Sequence, residues 1–190
     1  MISLHATRKM FARLSLNEQG QFAVTPRSQW LLERPPIDVN PLSGWHGNLV
    51  TLQRRNTLFL VHDATRFPLV LPALTKPDFI EMNARFADSL MNTLLKCGAT
   101  EEQLSAADRH LRPLQVDTQC SRSEQATLNR MKDEIEHLLW YDQVNIVELN
   151  GYRTGAWLAD TPRTVKGKDV FWPKREMLDL LTRLSERKLK

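Results

Sequence analysis

Residues Gly44–Gly98 read GWHGNLVTLQRRNTLFLVHDATRFPLVLPALTKPDFIEMNARFADSLMNTLLKCG. Short apolar runs alternate here with polar turn residues, a pattern that predicts three adjacent antiparallel strands over Leu49–Leu52, Leu58–Val61 and Phe67–Leu71. Four successive apolar residues, Leu58–Val61, predict a middle strand covered on both faces. Pro68 lacks the N–H a central ladder needs, which puts the third strand at an edge or makes its start irregular. Lys76–Cys97 then carries Phe79, Met82, Phe86, Leu90 and Leu94 three or four residues apart. That is one apolar stripe of a helix, opened by Pro77 and stopped by Gly98. The strands and this stripe each need a cover, so they are expected to pack on one another.

Upstream, Ser3–Thr7 reads as a short strand, and Thr7 caps a helix bearing Met10, Phe11 and Leu14. Residues 17–44 form an irregular arm broken by Gly20, Pro26, Pro35, Pro36 and Pro41, a covering loop or a partner-contacting segment. Downstream, Thr100–Gln103 and Ser121–Glu124 are capping-box patterns that start two helices, the second carrying Leu128, Met131, Ile135, Leu138 and Leu139. Val144–Leu149 fits a strand or a helical turn equally. Tyr152–Leu158 suits a short helix, and Pro173 opens a last one with Met177, Leu178, Leu181 and Leu184 inward. The economical architecture is a single α+β domain over residues 1–190, a small antiparallel sheet covered by about four helices.

The chain has 190 residues, 26 basic and 22 acidic. The basic excess is concentrated in a C-terminal segment, 161–190, with nine cations against four carboxylates. Such a segment suits a solvated helix or an anionic partner. No apolar run approaches the ~18 residues that cross a bilayer, and no secretory leader is recognisable, so a soluble cytoplasmic protein without membrane contact is expected. Two cysteines, Cys97 and Cys120, make no disulfide framework.

The polar chemistry of the opening stretch sits at its turns and strand ends. His62-Asp63 supplies an imidazole and a carboxylate, the materials of acid–base catalysis, although neighbours on a strand point to opposite faces. The plainer reading makes Asp63 a turn residue, His62 partly buried and Arg66 its local ion-pair partner. Arg54, Arg55 and Arg66 offer guanidinium groups suited to phosphate, at opposite ends of a hairpin unless Arg66 folds back. With Lys166, Lys168, Lys174 and Arg175 they form the candidate nucleic-acid contacts, and Trp45, Phe59 and Phe67 are nearby stacking aromatics or core. Glu134-x-x-His137 lacks the second copy a di-metal bundle needs. No Cys-x-x-Cys, His-Glu-x-x-His or glycine-rich phosphate loop occurs, so no metal and no cofactor is expected.

Thr7-Arg8-Lys9, Trp45-His46-Gly47-Asn48-Leu49, Arg54-Arg55, His62-Asp63-Ala64-Thr65-Arg66 and the run from Arg122-Ser123 to Leu128-Asn129 together resemble a bacterial domain family of unknown function. Its members occur alone or beside a domain like the ORF-3 product of a plasmid. The resemblance implies a bacterial, cytoplasmic setting connected with mobile elements, and it brings no reaction, catalytic residue or cofactor. The leading expectation is a non-catalytic module that binds nucleic acid or another macromolecule. The alternatives are a small hydrolase or nuclease using His62 and Asp63, and a protein–protein adaptor using the 17–44 arm. Convergence of His62, Asp63 and a third acid in a cleft would favour the enzyme; a flat basic face would favour nucleic acid.

Overall fold

The computed structural model describes residues 1–165 and 169–186. The antiparallel meander predicted from the sequence is its centre: β2 (Trp45–Leu52), β3 (Arg55–His62) and β4 (Pro68–Leu74) pair in sequence order. β1 (Ile2–Ala6) then adds alongside β2, and β5 (Leu114–Asp117) alongside β1, both in parallel. The sheet is therefore five-stranded and mixed, in the order β4-β3-β2-β1-β5. β5 escaped the sequence reading because it is four residues long, directly after Pro113, with only Leu114 and Val116 apolar.

Helices cover the two faces unequally. One face carries Leu4, Trp45, Leu58, Leu60 and Leu69, and packs on α3 (Met82–Lys96), α4 (Glu101–His110) and α7 (Pro173–Glu186). There the Phe86 ring stands edge-on to Trp45 at 5.2 Å, so the strands and the long helical stripe do form one packing unit. The other face carries Leu52, Phe59, Val61 and Val70 under α5 (Arg122–Tyr141) and Leu158 of α6 (Gly151–Ala159). Covering both sides of β3 buries every residue from Thr57 to His62, as its unbroken apolar run requires.

The predicted Lys76–Cys97 helix is two helices, α2 (Lys76–Ile80) and α3, divided at Glu81. The division has partners on each side: Thr25 donates to the Glu81 carboxylate at 2.7 Å, and Asn83 Oδ1 accepts from the Leu114 N–H at 2.9 Å. The short α1 (Arg8–Phe11) is capped by Thr7 as expected. Val144–Leu149 is neither strand nor helix but a turn-rich connection that buries Ile146. The 17–44 arm is packed down, burying Phe22, Leu31 and Leu42, and its Gln21 bridges Gln115 on the outer edge of β5.

Candidate functional site

The register of the parallel strands builds a row of polar side chains. His5 pairs laterally with His46 on one side and Asp117 on the other, so the three project from β2, β1 and β5 on the same face. Asp63 joins them from the turn after β3, its N–H donating to the Gly44 carbonyl at 2.9 Å. Gly44 has φ +87°, and a Cβ there would stand 3.0 Å from the Asp63 carboxylate, so glycine gives that carboxylate its place. This quartet lies on the face covered by α5, at the end where the helix begins.

Its hydrogen bonds fix the imidazoles. The Ser121 N–H donates to His46 Nε2 at 2.9 Å, so the His46 proton sits on Nδ1 and is given to Asp63 Oδ1 at 2.6 Å. Both nitrogens of His46 are thereby used, and its side chain is 5% exposed. His5 differs. Its Nδ1 pairs with Asp117 Oδ1 at 2.7 Å, while the nearest partner of Nε2 among the described residues is Asp63 Oδ2 at 3.9 Å. The His5 side chain is 19% exposed and Asp117 41%, and the two imidazoles lie 4.8 Å apart, centre to centre. A carboxylate-oriented histidine with a free, solvent-reachable nitrogen can take and return a proton. A cleft of about 580 Å³ opens beside Asp117, lined by Ser3, Glu18, Gln19, Gln115 and Thr118 as well; His5 itself, one strand over, is not in its wall. No group of three His, Cys, Asp or Glu side chains with metal-binding geometry occurs among the described residues.

Of the sequence candidates His62 and Asp63, the structure brings only Asp63 into this cluster. His62 points into the core, fully buried against Trp45 with ring centres 5.1 Å apart. Its Nδ1 meets Thr65 Oγ1 at 2.9 Å. Burial lowers its pKa to about 4 against the opposing pull of Asp63 and the Pro41 and Ser43 carbonyls, leaving a neutral structural imidazole. Arg66 is buried too. It holds the αL conformation at φ +58°, donates to the Asp63 backbone carbonyl at 2.6 Å and to Ser123 Oγ at 3.0 Å, and pairs with Glu124. The expected Asp63–Arg66 ion pair is thus replaced by Arg66–Glu124. Burial works to raise the Glu124 carboxyl, but Ser121 and Arg66 outweigh it and hold it low.

The remaining basic candidates are dispersed. Arg54 lies in the β2–β3 turn and Arg55 begins β3, both at the opposite end of the strand from His62 and Arg66. Lys174 lies 3.7 Å from Asp160, and Arg175 stacks over Trp172. Lys166 and Lys168 lie outside the described residues. Glu134 of the Glu-x-x-His segment is taken by Arg163 in a bidentate pair at 2.8 Å. Burial pushes the Cys97 thiol up to about 11, and burial and Asp117 raise Cys120, so neither is a ready nucleophile.

His5, His46 and Asp117 were missed because each signal was local and weak. Ser3/His5 and Gln115/Asp117 do show the polar alternation of half-covered strands, but nothing in the chain announces that these strands pair in parallel with β2. No curated protein and no solved structure matches the chain. A family model does match, over residues 3–176, and that span takes in all of the sheet but Ile2 and all four members of the polar centre. The chain belongs to the family described as Domain of unknown function (DUF6933).

Proposed function

We propose that the protein is a hydrolase-type enzyme whose general base and acid is His5. The observation that supports this most is the His5 pair: Nδ1 held by Asp117 at 2.7 Å, with Nε2 left free at the surface. In the reaction, Nε2 removes a proton from water as the water oxygen attacks the substrate's electrophilic centre. The same nitrogen then returns the proton to the leaving group, so one bond is cleaved and one water consumed. Asp117 stabilises the transient imidazolium and fixes its tautomer, and Asp63, kept in place by His46, faces the proton on Nε2. Glu18 and Asp117 are the charged residues lining the adjacent cleft, which has no Lys or Arg in its wall. Uncharged or cationic substrates therefore suit it better than phosphodiesters. The test is hydrolysis of p-nitrophenyl acetate, p-nitrophenyl glycosides, aminoacyl p-nitroanilides and bis(p-nitrophenyl) phosphate. One of the first three classes should be turned over, with kcat/KM lowered about 10²–10⁴-fold in His5→Gln and less in Asp117→Asn. No turnover of any class, or a His5→Gln variant as fast as wild type, overturns the reading.

A second reading, binding of nucleic acid in a mobile-element setting, draws support from a different surface. A cleft of about 340 Å³ beside α5 is lined by Arg122, Ser123, Thr127, Arg130 and Thr164. Neither Arg122 nor Arg130 has a carboxylate partner among the described residues. Phosphate contacts here would make affinity fall steeply with salt, by about 0.7–0.9 in log units per phosphate neutralised for each tenfold rise. Gel shifts with single- and double-stranded probes should show that slope flattened in Arg122→Gln/Arg130→Gln. Lys174→Gln/Arg175→Gln should change it only if the C-terminal helix shares the contact. Absence of binding, or a double α5 variant equal to wild type, removes this reading.

A further inference from the structure

At the sheet edge opposite β5, a cavity of about 260 Å³ lies between β4, α3 and the start of α6. Three features of its wall bear on what it could hold. The first is the helix start. Asn150 caps α6 by accepting from the Arg153 N–H at 3.0 Å, which leaves the Gly151 and Tyr152 N–H groups without an acceptor among the described residues. Gly151 brings them to the cavity wall: a Cβ there would come within 2.3 Å of the Val70 carbonyl oxygen, so no other residue lets α6 begin this close to β4. Free N–H groups at a helix start favour an anion.

The second feature is an opposite pair of charges in the same wall. Arg85 spends part of its guanidinium on Asp78 and keeps its side chain 48% exposed. Asp88 accepts from the Tyr152 hydroxyl and from Asn92 at 2.9 Å; that bond to the carboxylate, with burial, raises the Tyr152 phenol. The third is Ser89, a wall residue that is 2% exposed and whose hydroxyl has no hydrogen-bond partner among the described residues. A buried unpartnered hydroxyl is rare without something to satisfy it. The rest of the wall is apolar, from Val70, Leu71, Leu74 and Leu149.

A simple anion would suit Arg85 and the helix start but would meet the Asp88 charge. A simple cation would have the reverse difficulty. We propose that this cavity binds a small zwitterion, an α-amino acid with an aliphatic side chain. Its carboxylate meets the Gly151 and Tyr152 N–H groups and Arg85, and its ammonium meets Asp88. Its side chain lies on Val70, Leu74 and Leu149. The site shares no residue with the His5 centre and stands or falls apart from it.

Calorimetry on the full chain with L-leucine, 4-methylpentanoate and 3-methylbutylamine tests this directly, since the two analogues lack the ammonium and the carboxylate in turn. Leucine should bind, and each analogue should bind at least about tenfold more weakly, the equivalent of 1.4 kcal/mol. Asp88→Asn should weaken leucine about tenfold and leave 4-methylpentanoate unchanged or tighter. His5→Gln, with an unaltered circular dichroism spectrum, should leave leucine binding unchanged. Failure of leucine to bind at millimolar concentration, equal binding of all three compounds, or indifference to Asp88→Asn overturns the proposal.

Discussion

β3 and β1 belong to one sheet, two strands apart, yet they are built to opposite rules. From Thr57 to His62 every residue of β3 is buried, because α3 lies against one face and α5 against the other. β1 alternates buried Ile2, Leu4 and Ala6 with half-buried Ser3 and His5, and β5 repeats this with Leu114 and Val116 against Gln115 and Asp117. The core on the Trp45 face takes in residues of all five strands, whereas α5 packs over β2 and β3. Polar groups are costly under a helix unless paired. They are tolerated on the open half of the sheet, and that is where the His5 centre is found. The same comparison separates the histidines. His62 ends the covered strand and is held neutral, while His5 stands on the open one between two carboxylates.

The largest expected effect tests the covered half. Phe59→Ala removes a ring that is fully buried against the α5 side chains, and should cost about 3–5 kcal/mol in urea denaturation. Ser3→Ala, on the same sheet face but outside that cover, should stay within about 0.5 kcal/mol of wild type. Equal losses in the two variants would break the comparison, since both halves of that face would then be carrying the core.

The two halves also differ in how much of them could be read in advance. The meander and its helix were legible because they announce themselves locally. Leu58–Val61 needs two covers, and Thr100 and Ser121 begin their helices as their side chains dictate. Only Glu81 interrupted the expected stripe. The parallel strands were not legible in the same way. β1 and β2 are joined across some forty residues of arm, and β5 follows a helical hairpin, so their pairing depends on distant packing. Asp63 could be singled out because it lies in the meander; its partners His5, His46 and Asp117 reach it through the parallel register, a tertiary fact. Arg66 is the complementary case. Its guanidinium suggested an anion site, but the αL backbone and the Glu124 partner turn it inward, and neither follows from its place in the sequence.

A smaller effect sharpens the contrast between the histidines through pH. Burial sets the His62 pKa near 4, below the 6.5 of an exposed imidazole. Above pH 6.5 neither the folded nor the unfolded chain protonates this group, and its neutral form contributes its full stability. As pH falls below 6.5 the unfolded chain gains a proton that the folded chain refuses, and stability declines until the folded pKa is reached near 4. The full loss is on the order of 3 kcal/mol, at 1.36 kcal/mol per pKa unit. The carboxyls of Glu124 and Asp78, held low in the fold, begin to cost stability only below their ordinary values of 4.5 and 3.8, so the upper part of the window belongs to His62. Urea midpoints measured between pH 7 and 4.5 should therefore fall in wild type and flatten in His62→Leu, whose apolar side chain can keep the contact with Trp45. Imidazole proton shifts give an independent check, with the His62 signal unchanged until the pH nears 4. A His62 resonance that titrates with an ordinary midpoint, or a slope kept unchanged in His62→Leu, would overturn the assignment of His62 as the buried, neutral histidine.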